Sequence, residues 1–336
     1  MLLARRVVRA IFRLVLLLGT AAYFIWIFPP PTLCPAENEP RSIGTWAERT
    51  PMPTARSELA AAELDGKIYV AGGLRLTGPS NAFEIYDIGT NVWKDGAPLP
   101  EKLHHFSLTT IGPKLYLAGG YEGYNLTKPA DSLWIYDPPS NSWTAGKSMP
   151  SARAAHAAAA IEDKLFIVGG VGSGSSFLWT YDPVSNSWET VPTTLPTPRE
   201  HLGAAALEGK LYAIGGRTGD LGNLALMEVY NPETNSWEGA PAMPTARGGI
   251  TAGTIQGKIH VAGGEDFYGS PNCTFGQHEA YDPINDLWET LPPLPTPRHG
   301  LASAVVDEQW YVIGGAEKPN ALTLVSTSDQ VEIYQP

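Results

Sequence analysis

Five of the seven histidines, His104, His105, His156, His201 and His299, fall in short stretches that also hold cations and carboxylates: Lys102, Arg153, Arg199, Glu200 and Arg298. Arg56, Glu58 and Arg247 complete the same set at similar intervals along the chain. An imidazole gains or loses its proton near neutrality and can pass it on. A guanidinium fork binds a carboxylate through two parallel hydrogen bonds. Brought together, such groups make a pocket for a small or extended anionic or polyol ligand. The candidate ligand-binding residues are therefore Arg56, Glu58, His105, Arg153, His156, Arg199, Glu200, His201, Arg247, Arg298 and His299. The arginines recur at five of six equivalent positions, with Leu103 at the other. That regularity fits a hydrogen-bonding frame residue as well as a ligand anchor. The histidines follow no single repeat position, so architecture accounts for them less readily.

Other chemistry is thin. The segment Glu265 to Phe275 joins two carboxylates to aromatic residues; paired carboxylates serve acid–base or metal chemistry, and such segments also serve as plain solvated turns. No P-loop, G-x-S-x-G, H-E-x-x-H or C-x-x-C motif occurs. The sequence thus points to no metal site and no cofactor, and it assigns no catalytic residue. Only Cys34 and Cys273 carry thiols. Two cysteines so far apart suggest neither a disulfide framework nor a zinc cluster, so cysteine chemistry is not expected to hold the fold. Asn125-Leu-Thr and Asn272-Cys-Thr are sequons for glycosylation in a secretory compartment.

The elements that must position these residues repeat with a period near 50 from Trp46 onward. Glycine pairs mark the period: Gly72-Gly73, Gly119-Gly120, Gly169-Gly170, Gly215-Gly216, Gly263-Gly264 and Gly314-Gly315. Each closes an apolar run such as Lys67 to Ala71 that reads as a strand, and a variable loop follows. Next comes a Tyr with Asp or Asn after it, as in Tyr86-Asp87 and Tyr230-Asn231, with Tyr334-Gln335 in the last unit. A tryptophan follows a polar turn: Trp93, Trp143, Trp188, Trp237 and Trp288. The unit ends on Met-Pro or Leu-Pro. Alanine runs such as Ala157 to Ala160 stand in the strand before each glycine-closed one. Gly and Pro together number 65 residues, which excludes long helices, and 43% hydrophobic against 17% charged excludes disorder.

This four-part motif resembles the Kelch repeat and covers about 290 of the 336 residues. The resemblance implies an all-β fold, a six-bladed β-propeller in which each unit is one four-stranded blade. Its first strands line the central channel, and ligands meet the face formed by the loops entering each first strand and those after each glycine pair. The last unit lacks a tryptophan strand while Trp46 lacks a preceding one. Residues 42–52 are therefore expected to return as the fourth strand of the sixth blade, closing the ring over 42–336. No tryptophan here is followed by Asp, which sets WD repeats aside.

The leading segment is a separate object. Val7 to Phe28 is apolar apart from Arg9 and Arg13, long enough at helical rise to cross a bilayer core of roughly 30 Å. Arg5 and Arg6 precede it, Arg9 and Arg13 stand in its leading part, and Pro29-Pro30-Pro31 follows. The expected organisation is a basic cytoplasmic end at 1–6, one transmembrane signal anchor at 7–28, a Pro-rich stalk at 29–41 and an extracytoplasmic body. A cleaved signal peptide is the rival, giving a secreted protein. Net charge is −11, and −15 once the four leading arginines are set aside, with 19 basic and 34 acidic side chains remaining. Such a body repels phosphate backbones and is not expected to bind nucleic acid.

The expected function is a membrane-tethered binding module taking a protein or glycan at one channel mouth. The alternative is a small-molecule isomerase, resembling the periplasmic Kelch mutarotases of sialic acid. There Arg56, Arg199 or Arg247 would hold a carboxylate while Glu58, Glu200 or a histidine moves protons. A metal-dependent oxidase ranks below both: Cys273 alone is weak support for the Cys-linked tyrosine of galactose-oxidase relatives, and the iron motif of plant Kelch specifier enzymes has no match.

Overall fold

The computed structural model describes residues 32–35, 40–267 and 272–336. The anchor expected at 7–28 lies outside the described residues, as does part of the stalk. Among the described residues no helix is long and apolar enough to cross a membrane.

Leu33 to Pro336 form one compact unit of six four-stranded antiparallel sheets. The first blade comprises Ala60–Leu64, Lys67–Ala71, Phe83–Asp87 and Val92–Asp95, paired in that order. The same order recurs through the fifth blade. In the sixth, Ala302–Val306, Gln309–Ile313 and Val331–Gln335 are completed by Thr45–Glu48, with Trp46 opposite Tyr334. The ring closes by strand exchange between the two ends, as the missing tryptophan strand predicts, so no sheet edge is left at the seam. Neighbouring first strands touch all the way round, from Ala60–Leu64 back to Ala302–Val306. Alanine and glycine there let six strands converge on one axis.

The repeated residues have separable tasks. Both glycines of each pair have positive φ. At Gly73 a Cβ would lie 2.7 Å from the Ser57 carbonyl oxygen, so only glycine fits. The tyrosines of the third strands donate to the turn residue five positions on, as from Tyr136 to Asn141 Oδ1 at 2.7 Å and from Tyr281 to Asp286 Oδ1 at 2.6 Å. Those acceptors adopt positive φ, which Asn and Asp tolerate best among side-chain-bearing residues. The tryptophans staple blade to blade. Trp143 Nε1 donates to the Ala97 carbonyl at 2.9 Å, Trp288 Nε1 to Pro241 at 2.8 Å and Trp46 Nε1 to Pro292 at 2.8 Å.

Contrary to expectation, the two cysteines are joined. Cys34 and Cys273 form a disulfide across 239 positions of sequence. Leu33 pairs with Thr274, and Cys34 N–H donates to the Thr274 carbonyl at 3.0 Å. Sequence separation misled because a propeller returns its leading residues to the edge of its fifth and sixth blades.

Candidate functional site

Each blade enters its first strand through the same four-residue step, and each position in the step has a distinct environment. The first carries Arg56, Leu103, Arg153, Arg199, Arg247 and Arg298. The second carries Ser57, His104, Ala154, Glu200, Gly248 and His299, each bridging to the residue directly after a glycine pair. The third carries Glu58, His105, Ala155, His201, Gly249 and Gly300, all with φ between 52° and 69°. The fourth carries Leu59, Phe106, His156, Leu202, Ile250 and Leu301. The five histidines of the loop starts thus occupy three consecutive positions.

The third layer closes on itself. His105 N–H donates to Glu58 O at 3.0 Å, Ala155 to His105 at 2.8 Å and His201 to Ala155 at 2.9 Å. Gly249 then donates to His201 at 2.9 Å, Gly300 to Gly249 at 2.9 Å and Glu58 to Gly300 at 2.7 Å. Six backbone hydrogen bonds make a ring around the axis, with a cavity of about 100 Å³ between it and the collar of the fourth layer. Left-handed backbone costs a residue with a Cβ about 1–2 kcal/mol. Glycine meets the requirement in blades five and six, whereas Glu58, His105 and His201 hold polar, titratable side chains at the same strained position.

Those side chains converge with others from the second layer and from the loops after the glycine pairs. His105 Nε2 lies 3.3 Å from Glu58 Oε2. His299 Nδ1 is 3.7 Å from Glu58 Oε1 and 3.6 Å from Glu265 Oε1. Arg217 reaches Glu200 Oε1 through Nε at 2.9 Å and Glu265 Oε1 through Nη1 at 2.7 Å. His201 Nδ1 is in contact with the Glu200 carboxylate, and its ring stands edge-on to His105 with centroids 4.9 Å apart. The Glu58 carboxylate fills the space where a Cβ on Gly300 would stand.

The electrostatics are those of a dry, crowded cup. Burial pushes the Glu58 carboxyl up. Burial pushes Glu265 up as well, but His299 and Arg217 outweigh it and hold that carboxyl below its usual range. Burial lowers His105 to about 3, with Arg217 adding to the effect. Burial also lowers His104, to about 4, with His105 next to it, and lowers His201, with Arg217 and His105 beside it. At neutral pH these three imidazoles are uncharged bases and hydrogen-bonding groups.

Of the residues singled out in the sequence, Glu58, His105, Glu200, His201 and His299 meet here. The arginines do not. Arg56, Arg153, Arg247 and Arg298 are fully buried and Arg199 nearly so, all turned into the blades. Arg56 pairs with Glu84 at 2.9 Å, Arg247 with Glu279 at 2.5 Å and Arg298 with Glu332 at 2.9 Å, while Arg199 contacts Glu228. Each carboxylate comes from the third strand of the same blade. In blade three the guanidinium of Arg153 lies 3.5 Å from the centroid of the Trp179 ring, and burial lowers its pKa to about 9. The frame reading of these five therefore replaces their place among the ligand anchors. His156 lies one layer below the ring, its Nε2 3.1 Å from Ser107 Oγ. The arginine of the mouth is instead Arg217, which sequence reasoning passed over. The available signal was its place directly after Gly215-Gly216, equivalent to Glu265 after Gly263-Gly264.

Around this cup, every blade contributes an exposed apolar side chain from the loop after its glycine pair: Leu76, Tyr124, Val171, Leu221, Phe267 and Val325. Leu221 is 69% and Leu76 is 63% exposed.

Fold and site define a Kelch-type propeller, and the comparisons agree. The KLHDC2/KLHL20/DRC7 Kelch-repeats domain model matches residues 39–170 and 105–315. The chain belongs to the Kelch-repeat family. It is similar to Kelch-like protein terF of Aspergillus terreus, 29% identical over 307 residues, which is 87% of this chain and 56% of that protein. Beta-scruin of Limulus polyphemus is 27% identical over 145 residues, 42% of this chain and 16% of that protein. The chain thus spans about half the length of the first of these relatives, and its match covers much less of the second. Among solved structures, YjhT superposes with a TM-score of 0.71 at 17% identity, over 85% of this chain and 96% of that one. That likeness is one of fold.

Proposed function

We propose that the protein is a binding module that receives a protein partner on the channel mouth bearing Glu58, His105, Glu200, His201, Arg217, Glu265 and His299. The observation that carries this reading is the crown of exposed apolar side chains supplied by all six blades around a polar, hydrogen-bonding centre. An apolar contact zone gives area and a polar centre gives register, the usual division of labour at a protein interface. Kelch proteins generally bind proteins, which favours such a partner over a glycan. The module works outside the cytoplasm in this reading. The Cys34–Cys273 disulfide suits an oxidising compartment, and the basic then apolar order of residues 5–28 suits export with or without a retained anchor.

A photo-crosslinking residue placed at Leu221 or Tyr124 of the full-length chain tests the reading. The expected result is adducts from these two positions in the native host and none from Val184 or Ile284, which are exposed on turns at the opposite face. Adducts from the opposite face alone refute it. A second reading, turnover of a small sugar acid, draws on the Glu58 carboxyl, whose pKa burial raises, 3.3 Å from the imidazole of His105; Arg217 rather than Arg56, Arg199 or Arg247 would then meet the carboxylate. Anomer-exchange measurements on candidate sugar acids address it.

A further inference from the structure

We propose that Glu58, His105 and His201 bind one first-row divalent transition-metal ion, such as Zn2+, at the centre of the mouth. One ligand atom from each of the three lies within 4.8 Å of the others. The 3.3 Å from His105 Nε2 to Glu58 Oε2 suits two bonds of roughly 2.0–2.2 Å to one ion, and His201 comes within that reach by a small side-chain adjustment. Two imidazoles and one carboxylate form the donor set of open sites, which leave positions for water or an incoming group.

The tautomers reinforce the geometry. His104 Nε2 lies 2.8 Å from the Gly123 carbonyl, which can only accept, so that nitrogen carries the proton. His104 Nδ1 then accepts from the Nδ1–H of His105, at 2.5 Å. The Nε2 of His105 is left as a bare lone pair, aimed at the Glu58 carboxylate 3.3 Å away. With Glu58 ionised, two acceptors face each other, an arrangement that a metal cation resolves in competition with a proton. His201 Nδ1 is in contact with the Glu200 carboxylate, so Nε2 is the ring nitrogen left for an ion. Each histidine thus has its distal nitrogen fixed, one through His104 to a backbone carbonyl and one to a carboxylate, as is usual for metal-ligating imidazoles.

The scaffold is rigid and open on one side. All three ligands sit on the ring of backbone hydrogen bonds, in the strained conformation that two other blades fill with glycine. Ala155, Gly249 and Gly300 occupy the remaining ring positions, so no long side chain enters from them. None of this depends on which partner the mouth receives.

The test uses the full-length chain, stripped with a chelator and titrated with Co2+ and then Zn2+. The expected result is one ion per chain, with the visible d–d absorption of low-coordinate Co2+ bleached by Zn2+. His105→Gly and His201→Gly keep the ring, since glycine already serves there in blades five and six, and are expected to lose the band. Glu200→Gln, acting through His201, is expected to weaken binding about 10- to 100-fold, and His156→Gln, below the ring, to leave it unchanged. If the stripped chain takes up neither ion stoichiometrically at micromolar concentration, the proposal is overturned. It is equally overturned if both glycine variants, folded by circular dichroism, bind as the parent does.

Discussion

The buried Arg247–Glu279 pair permits a prediction for which the protein supplies its own controls. Both side chains are essentially inaccessible, Nη1 lies 2.5 Å from Oε2, and Thr245 Oγ1 also donates to Oε1 of Glu279 at 2.6 Å. Arg247→Leu strands a carboxylate at 1% side-chain exposure. Removing one partner of a buried pair typically costs about 3–5 kcal/mol. Blade two solves the same position without charge, placing Leu103 before the ring and Trp134 where four of the other blades place glutamate. Blade three combines Arg153 with Trp179, ring face to guanidinium. Glu279→Trp therefore recreates the blade-three arrangement, and Arg247→Leu with Glu279→Trp recreates that of blade two. The double variant is expected to lose less than Arg247→Leu alone, even allowing about 1–3 kcal/mol for packing a larger ring. A double-mutant cycle from urea unfolding midpoints should return a coupling of at least about 2 kcal/mol. Strictly additive losses, with the double variant losing as much as Arg247→Leu and Glu279→Trp together and hence no coupling, refute the assignment of these arginines as frame ion pairs.

Three further outcomes follow from the fold. Reduction, or Cys273→Ser, is expected to lower the melting temperature, the loss of stability being bounded at about 5 kcal/mol from chain entropy for so long a loop; a Cys34→Ser/Cys273→Ser variant that still responds to reductant would contradict this. Trp46→Ala removes the indole packed on Tyr334 and Trp310 and its bond to Pro292, and is expected to cost about 3–5 kcal/mol in a thermal melt. Deleting residues 41–52 should be worse, and unchanged melting in either case rules out ring closure by this strand. Burial, with Arg153 adding to it, lowers His156 to about 3, and burial with Lys258 lowers His260 to about 4, against 6.5 when unfolded. Unfolding then takes up protons between those values, so stability falls as pH drops below about 6.5, by up to about 1.4 kcal/mol per pH unit per histidine. His156→Gln should flatten that slope between pH 6.5 and 4.5, and an unaltered slope excludes His156 as a contributor.

The architecture was written in spacing. Glycine pairs, Tyr-Asp strands and tryptophans recur because every blade must turn, cap and staple in the same way, and a Trp46 without a preceding tyrosine strand foretold the seam. Glu58, His105, Glu200, His201 and His299 were readable as a group because they break that regularity. The repeated arginines obeyed it, and their regularity was the sign of an architectural task. Arg217 was hidden because its partners, Glu200 at the entry to its own blade and Glu265 in the next blade, come together only in space. The disulfide was hidden for the same reason on a larger scale: no local pattern marks two residues that only ring closure brings together.

That disulfide also decides how the propeller carries load. A pull on the chain ahead of Thr32 arrives first at Cys34, where a covalent bond passes it to the fifth blade at Cys273. The closing strand, Thr45–Glu48, lies beyond that point and is held to the sixth blade only by hydrogen bonds and packing. With the bond intact, tension bypasses the seam, and the ring behaves as a bead hung from its side. Once the bond is reduced, the same tension runs along the chain into the seam strand and peels it from Val331–Gln335, one residue pair at a time.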